Sequence, residues 1–427
     1  MKIRSITIGQ NIPILYEHEN TEKFLEDKLD LFSLFNRDLT NSFIDQGIGI
    51  ESKRICSQPL ISYADELVFR KNVKETFLMI ENELEVLQNL LKIYGFDYYS
   101  CSTMHPQELE HFDLFDKLLL NDFDILLKKY ANFFTSIPAI SDCGISFLAL
   151  KVCAKLIKKL SAPDPFNNLK FCVSYNVPSN TPFFPAAYHS GKKKPQFSLA
   201  LEMADEVVKI IDSSKSLMAV KSSLRNKFEE IYNSIIYTCE KIAKKYDLEF
   251  KGVDFSPAPY PRKERSIGEA IEKMGVDYFG SYGSLLGVSI ITDAIPKKEK
   301  IIGFSGFMQP ILEDKILAER LKEKRYDIDT LLLYSTVCGT GLDCVPLPGD
   351  VTEEELFNIL LDVAVISLTH KKPLTARLMP MPHKSAGDEV NFEFEYFAPS
   401  KVIEIKRINK SANNRLFHRS DKFYNIL

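Results

Sequence analysis

Apolar residues recur at spacings of three and four over residues 73–95, in the stretch VKETFLMIENELEVLQNLLKIYG. The positions that share this spacing are Phe77, Ile80, Leu84, Leu87 and Leu91. Because an α-helix repeats every 3.6 residues, the pattern predicts an amphipathic helix whose apolar face packs in the core. We assign these side chains to packing rather than to chemistry.

Strand and helix patterns alternate along the rest of the chain. Predicted strands include KIRSITIG, LKFCVSYNV, FSLALEM, LEFKGVDFS, LLLYSTV, TARLMPM and EVNFEFEY. Predicted helices include ISFLALKVCAKLIKKL, residues 214–246, SIGEAIEKMG, residues 285–294, ILEDKILAERLKEKR and TEEELFNILLDVAVISLTH. This alternation is typical of an α/β fold with a mostly parallel sheet and helices outside it. We expect one large domain over residues 1–400 and a basic tail over residues 401–427.

Composition and charge narrow the class of protein. The chain has 427 residues, 45% of them hydrophobic, which is enough for a substantial core. Lys and Arg total 54 against 58 Asp and Glu, so no basic excess favours a nucleic-acid partner. Residues 1–20 lack the apolar stretch of an export signal, and no window is apolar enough to span a bilayer. We expect a protein without membrane contacts.

The cysteines indicate the cellular compartment. The chain has 8 of them, too few and too scattered for a disulfide scaffold, and none forms a C-x-x-C motif. We therefore expect reduced thiols in the cytoplasm, with a disulfide between Cys338 and Cys344 kept as an alternative.

The stretch CGTGLDCVPLPGD, residues 338–350, follows the predicted strand LLLYSTV. Glycines and prolines at a strand end let the backbone turn sharply beside a ligand, so Gly339 and Gly341 are candidate ligand-binding positions. Cys338 is a candidate nucleophile or redox thiol, because a strand end near a helix start can lower a thiol pKa. The alternative for Cys338 is a small buried hydrophobe. Asp343 is a candidate orienting carboxylate or metal ligand.

Three further loops carry polar side chains beside predicted strands. YNVPSNTPFFPAAYH contains Asn176, a candidate ligand-binding residue, and His189, a candidate acid or base, since histidine titrates near neutrality. Asp254 lies at the end of the predicted strand LEFKGVDFS and is a second candidate acid or base. Arg377, in TARLMPM, is a candidate clamp for an anion, with surface ion pairing as the alternative.

The leading hypothesis from these residues is an enzyme or binding protein that handles a small, anionic metabolite. We expect it to assemble as a homo-oligomer. The sequence indicates no particular cofactor, because it lacks the P-loop, G-x-G-x-x-G, H-E-x-x-H and G-x-S-x-G motifs.

Two alternatives of other classes stay open. One is a non-catalytic scaffold or oligomer building block, in which the Gly and Pro loops only turn the chain. The other is a divalent-metal protein whose site would be built from Asp254, Asp343, Asp350 and His189. Asp350 could instead cap the following helix, a role that Thr352 could also take.

Several separated motifs, in one order, resemble a family. NVPSNTPFFPAAYH, VDFSPAPYP, SIGEAIEKMG, VCGTGLDCVPLPGD and TARLMPMPHKSAGDEVNF are similar to domain-of-unknown-function family 711, or uncharacterised-protein family 0210. With the opening strand IRSITIG, the resemblance runs over residues 3–392. It implies an α/β barrel of about ten strands, similar to pyruvate formate-lyase and the ribonucleotide reductase large subunit. In such barrels a loop can carry a cysteine into the interior, as CGTGLDC would here.

The sequence argues against a glycyl-radical mechanism, which similarity to pyruvate formate-lyase would suggest. A glycyl-radical enzyme stores its radical on a glycine in a C-terminal loop, but the last glycine here is Gly387 and no R-x-x-G-[FY] pattern follows it. The chain also differs from the family pattern in two features, the Cys344 that follows GLD and the basic tail. The resemblance therefore predicts the fold better than an activity.

Overall fold

The computed structural model describes residues 1–12, 21–60, 73–114, 122–192, 194–408 and 422–425. Its strands are β1 Lys2–Gly9, β2 Gly49–Cys56, β3 Tyr98–Ser102, β4 Phe133–Pro138, β5 Ile140–Ser141, β6 Gly144–Ser146, β7 Phe171–Tyr175, β8 Gln196–Glu202, β9 Glu249–Ala258, β10 Gly341–Pro348, β11 Leu374–Met381, β12 Glu389–Val390, β13 Ser400–Lys401 and β14 Phe423–Tyr424. Nine of them form the main sheet, in the order β10-β11-β7-β4-β3-β2-β1-β8-β9.

The main sheet consists of two groups of parallel strands that run in opposite directions. Strands β1, β2, β3, β4 and β7 are parallel to one another. Strand β8 pairs antiparallel with β1, and β11 pairs antiparallel with β7. The remaining pairs, β8 with β9 and β10 with β11, are parallel again. The expected α/β fold with a mostly parallel sheet is therefore confirmed.

One irregular segment contacts both edge strands of this sheet. Ile301 forms a parallel bridge with Val253 of β9, and Pro310 forms a parallel bridge with Asp343 of β10. The Ile302 amide donates to the Val253 carbonyl at 3.0 Å. The Ile311 amide donates to the Asp343 carbonyl at 3.1 Å. Residues 301–311 thus reach from one edge of the sheet to the other.

Helices pack against the strands and bury their apolar faces. They are α1 Thr21–Ile44, α2 Val73–Ile93, α3 Phe123–Lys129, α4 Phe147–Ser161, α5 Ala204–Ser213, α6 Leu217–Tyr246, α7 Ile267–Lys273, α8 Ser284–Ala294, α9 Lys315–Lys322, α10 Ile328–Ser335 and α11 Glu353–His370, with 3₁₀ turns at Pro106–Leu114, Pro165–Lys170 and Lys263–Arg265. In α2 the predicted apolar face is confirmed, since Ile80, Leu84, Leu87 and Leu91 are buried in the main core. Among the described helices, none is long and apolar enough to cross a membrane.

The structure corrects two strand predictions. LLLYSTV is not a strand: most of it belongs to α10, which begins after Asp327, whose side chain accepts from the Thr330 amide at 2.9 Å. The predicted loop CGTGLDCVPLPGD contains strand β10 instead. EVNFEFEY is a strand only at Glu389–Val390. In this stretch Phe392 and Phe394 pack on Phe166 instead of joining a ladder.

Part of the predicted basic tail is described. Phe423–Tyr424 pairs with β6, and Arg407 forms an ion pair with Asp350. Residues 409–421 and 426–427 of the tail lie outside the described residues.

Candidate functional site

A cavity of about 840 Å³ lies at one end of the main sheet. On one side it is lined by residues of the first three strands, with Arg4 in β1, Arg54 in β2 and Tyr98 in β3. On the other side it is lined by residues near the ends of β8 and β9, such as Leu201 and Ala258. Because the two strand groups run in opposite directions, this is the carboxyl end of β8 and β9. Strand ends of this kind commonly hold the ligands of α/β proteins.

Two arginines and two carboxylates form a chain of ion pairs at the cavity wall. Arg377 donates from Nε to Asp343 Oδ1 at 2.6 Å and from Nη2 to Glu313 Oε1 at 2.9 Å. The other Glu313 oxygen, Oε2, accepts from Arg4 Nη2 at 2.6 Å. Glu313 is therefore held between two guanidinium groups, and the charges of Arg4 and Arg377 are neutralised within the protein.

Burial and the arginine charges have opposite effects on the pKa values of the two carboxylates in this chain of ion pairs. Burial disfavours ionised Glu313, but the charges of Arg4 and Arg377 outweigh it and lower the pKa of Glu313. Burial raises the pKa of Asp343, against the opposing effect of Arg377. The second oxygen, Asp343 Oδ2, is buried without a hydrogen-bond partner within the described part of the chain. The group is therefore a network of ion pairs beside the cavity, neutralised within the protein.

Arg54 differs from these arginines because no carboxylate of the described residues lies within ion-pair distance of it. Its Nε donates to Ser52 Oγ at 2.8 Å. Its guanidinium carbon lies 5.0 Å from the centre of the Phe184 ring and 5.5 Å from that of Tyr98. Burial, followed by the charge of Arg4, lowers the pKa of Arg54 to about 10. The side chain is thus a cation at physiological pH, and its two Nη groups donate to no atom of the described residues.

Asp254 lines the cavity but its carboxylate is occupied. Oδ1 accepts from the amide and hydroxyl of Ser256, at 2.9 and 2.7 Å, and from the Ser305 amide at 3.0 Å. Oδ2 accepts from the Phe304 amide at 2.9 Å. Burial raises the pKa of Asp254, while these hydrogen bonds oppose the rise. The carboxylate holds residues 304–305 onto β9, and its role as an acid or base stays a prediction.

One group in the described part of the chain has the spacing of metal ligands. Glu313, Asp343 and Cys344 each place a ligand atom within 4.8 Å of the others. Arg377 already pairs with both carboxylates, and burial raises the pKa of the Cys344 thiol well above its usual range. A cation would have to displace the Arg377 guanidinium. The set of Asp254, Asp343, Asp350 and His189 is not brought together as such a group.

Asp350 and Thr352 separate clearly into two roles. Thr352 caps α11, with its hydroxyl accepting from the Glu355 amide at 3.1 Å and Glu355 closing the capping box. Asp350 is exposed and pairs with Arg407 at 2.5 Å. Capping by Thr352, one of the two alternatives, is confirmed.

Cys338 lies in a tight turn before β10, at the opposite end of the sheet from the cavity. It is 2% exposed, and its Sγ accepts from the Gly341 amide at 3.3 Å. A Cβ on Gly339 would lie 2.7 Å from Gly306 Cα, and a Cβ on Gly341 would lie 2.5 Å from the Thr375 carbonyl oxygen. Close backbone approach therefore accounts for both glycines, while the chemical role of Cys338 stays a prediction.

Asn176 lies at the same end as Cys338, directly after β7. Its side-chain amide donates to the Ser367 hydroxyl at 3.0 Å. Neither Asn176 nor Cys338 lines the cavity.

His189 is also away from the cavity, beside the last residue of β1. It is fully buried, and its Nδ1 accepts from the Gly191 amide at 3.2 Å. Its Cδ2 lies 2.8 Å from the position of a Cβ on Gly9, so only glycine fits there. Burial lowers the pKa of His189 to about 4, so the ring is neutral at pH 7. The cavity is thus lined by Arg377 and Asp254 but not by Cys338 or His189.

The sequence patterns missed Arg54 because they missed strand β2. GIESKRIC contains few apolar residues and does not resemble a buried strand. Its alternation nevertheless places Ser52 and Arg54 on one face, where the two side chains are hydrogen-bonded. This alternation, which places a charged residue on the same face of the strand as Ser52, was the signal available in the sequence.

Comparisons with known proteins agree with the motifs. The family model described as Uncharacterised ACR (DUF711) matches residues 1–400. A UPF0210 protein of Pyrobaculum aerophilum is 30% identical over 287 residues, covering 62% of this chain and 60% of that protein. A UPF0210 protein of Oenococcus oeni is 26% identical over 367 residues, covering 82% of this chain and 78% of that protein. A UPF0210 protein of Halothermothrix orenii is 26% identical over 392 residues, covering 86% and 82%.

The family match extends through the cavity-lining residues of both strand groups, including Arg4, Arg54 and Arg377. In the Pyrobaculum aerophilum protein, the aligned region spans only 60% of the length. The names of these relatives assign no activity. The chain belongs to the DUF711 family of uncharacterised proteins.

Proposed function

We propose that this protein binds a small organic anion, a carboxylate or a phosphate, in the cavity of about 840 Å³. The observation that carries the proposal is Arg54, whose charge is not neutralised by any carboxylate of the described residues. An arginine held in a partly desolvated wall without a counter-ion costs stability, so its presence favours a role in binding.

The geometry of Arg54 favours an anion with two acceptor oxygens. The Nε edge is occupied by Ser52 Oγ, which leaves Nη1 and Nη2 as a planar pair of donors. A carboxylate or phosphate can accept from both groups at once. The rings of Phe184 and Tyr98 hold the guanidinium plane and restrict its rotation.

Aromatic side chains in the cavity wall suit an apolar portion of the ligand. Phe134 contacts both Phe184 and Tyr98, with ring centres 5.7 and 5.3 Å apart. On the opposite wall, Phe183 packs under the Arg377 guanidinium at 5.6 Å. A volume near 840 Å³ falls within the range of small-molecule sites, roughly 300–1,000 Å³. The ligand should therefore join an anionic group to an apolar body.

We also infer that the sheet closes into a ten-stranded barrel, with residues 301–311 as its tenth strand. The bridges of Ile301 to β9 and of Pro310 to β10 support this closure. Two groups of five parallel strands would then face each other, as the resemblance to pyruvate formate-lyase implies. The cavity would be the open end of that barrel.

Calorimetric titration tests the binding proposal. Octanoate and octyl phosphate serve as anionic probes, and octanamide serves as the neutral control. We expect either anion to bind and the amide to bind far more weakly. Arg54→Gln should weaken binding at least about tenfold, the effect of losing about 1.4 kcal/mol.

The matched control is Arg262→Gln, which removes an exposed arginine that does not line the cavity. It should leave the affinity unchanged. Equal binding by wild type and Arg54→Gln, or equal binding of octanamide and octanoate, would contradict the proposal. Cys338 and His189 take no part in this binding, so their substitution should not alter it.

A further inference from the structure

A second cation lines the same cavity without a carboxylate partner. Lys170, directly before β7, is only 5% exposed. Its ammonium donates to the Leu127 carbonyl and to the Tyr130 carbonyl, the latter at 3.3 Å. No acid of the described residues lies within ion-pair distance of it. Asp164, the acid whose charge acts on it most, does not approach that closely.

The two carbonyl bonds explain the position of Lys170 but not the choice of a charged residue. Leu127 and Tyr130 lie at the end of α3, where a lysine can satisfy free carbonyl groups. A glutamine or asparagine could also donate to carbonyls, without the cost of a buried charge. The other lining lysine, Lys128, is neutralised by Asp124 at 2.9 Å. Lys170 therefore shares with Arg54 the property of being a lining cation without a carboxylate partner among the described residues.

Strand order fixes how far apart the two cations are. Arg54 lies in β2, opposite Tyr98 of β3. Strands β3, β4 and β7 follow as neighbours, and Phe171 next to Lys170 pairs with Thr135 of β4. Three inter-strand gaps at about 4.8 Å each separate the two backbones by roughly 14 Å, which side chains reaching inward shorten. The cations therefore lie at two places on the wall rather than in one cluster.

An apolar surface lies between them. The Tyr98 and Phe134 rings pack edge to face at 5.3 Å, on the two strands between β2 and β7. A ligand that reaches both cations must cross these rings. Its middle portion should therefore be apolar.

We propose that the preferred ligand carries two anionic groups joined by an apolar spacer, with Arg54 binding one group and Lys170 the other. This inference rests on the proposed function and names its substrate class. A compact dianion, with both charges on one carbon, cannot reach both residues at once. A monoanion gains only the Arg54 contact.

The test compares octanedioate with octanoate and malonate by calorimetric titration of the full chain. Octanedioate should bind at least about tenfold more tightly than either, as a second ion pair of about 1.4 kcal/mol implies. Lys170→Gln keeps amide donors for the two carbonyls and removes the charge, so it should abolish this preference while leaving octanoate affinity unchanged. Lys129→Gln is the control, because Lys129 is paired with Glu81 and does not line the cavity.

The outcomes separate the two proposals. If no probe binds the wild-type chain, the proposed function fails and this inference fails with it. If octanoate and octanedioate bind equally well, or Lys170→Gln keeps the preference, only the dianion inference is overturned. The comparison of probes on the wild-type chain decides the matter even if Lys170→Gln does not fold.

Discussion

Arg377, which lines the cavity, donates from Nε to Asp343 Oδ1 at 2.6 Å, and both side chains are buried. Each residue was a candidate from the sequence alone, one as an anion clamp and the other as an orienting carboxylate. In the fold they neutralise each other, with Glu313 as a further partner of Arg377. Their contact neutralises the Arg377 charge and leaves Arg54 and Lys170 as the lining cations without a carboxylate partner among the described residues.

Asp343→Asn should destabilise the protein strongly, because it leaves the buried Arg377 with less compensation. Removing one partner of a buried ion pair costs about 3 kcal/mol or more. Urea unfolding followed by circular dichroism measures the loss. Asp350→Asn is the control, since its ion pair with Arg407 is exposed and should contribute little. Equal losses in the two variants would count against a buried network.

Gly339→Ala should destabilise the protein by about 2 kcal/mol, the range for forcing extra atoms into a packed site. The added Cβ would lie 2.7 Å from Gly306 Cα, and backbone cannot move aside as a flexible side chain can. Gly49→Ala is the control, because the nearest atom to its Cβ is 3.9 Å away. Thermal unfolding compares the two. A stable Gly339→Ala variant would leave Gly339 to be explained by ligand contact instead.

Much of the fold was predictable because local patterns decided it. Strands β1, β7, β8, β9 and β11 and the helices α2, α4, α6 and α11 follow the apolar periodicities that the sequence displays. The error at LLLYSTV arose because a short apolar run suits either a strand or a buried helix. The Asp327 cap, three residues before Thr330, was the local signal for a helix.

The site was only half predictable, because it depends on which strand ends meet. Asp343 and Arg377 were selected from loop and strand motifs, and they are in contact. Cys338 and His189 came from equally suggestive loops, yet they lie away from the cavity, Cys338 at the opposite end of the sheet. Which end a loop occupies is set by the antiparallel pairings of β1 with β8 and of β7 with β11. Local sequence does not contain that information.

Stability should fall as the pH rises above about 4.5, because of Glu83 in α2. Burial raises the pKa of Glu83 to about 8. A carboxyl group whose pKa is raised by folding makes its full contribution to stability below the unfolded-state pKa. That contribution is lost as the pH rises through the folded-state pKa. The loss is at most about 1.4 kcal/mol per pH unit between these values.

Glu83→Gln should flatten this pH dependence and stabilise the protein at pH 8. Denaturant unfolding at pH 5 and pH 8 measures the effect. The control is Glu85→Gln on the same helix, whose side chain is 61% exposed. If wild type and Glu83→Gln show the same slope with pH, the buried carboxyl is not the cause.

Closure of the barrel predicts slow hydrogen exchange in residues 301–311. The amides of Ile302 and Ile311 donate to carbonyls of the two edge strands, at 3.0 and 3.1 Å. Both should exchange far more slowly than the neighbouring loop at residues 297–299. Exchange followed by mass spectrometry tests this. Protection no greater than in that loop would mean that the two sheet edges stay open.

The most direct test of the central claim is the free energy of unfolding of wild type and Arg54→Gln, each with and without saturating octanoate. An arginine retained for binding destabilises the free protein, and this loss is offset only when its anion is bound. We predict that Arg54→Gln is at least as stable as wild type without octanoate, and that only wild type gains clearly when octanoate is added. A destabilised Arg54→Gln variant that gains as much as wild type from octanoate would contradict the account.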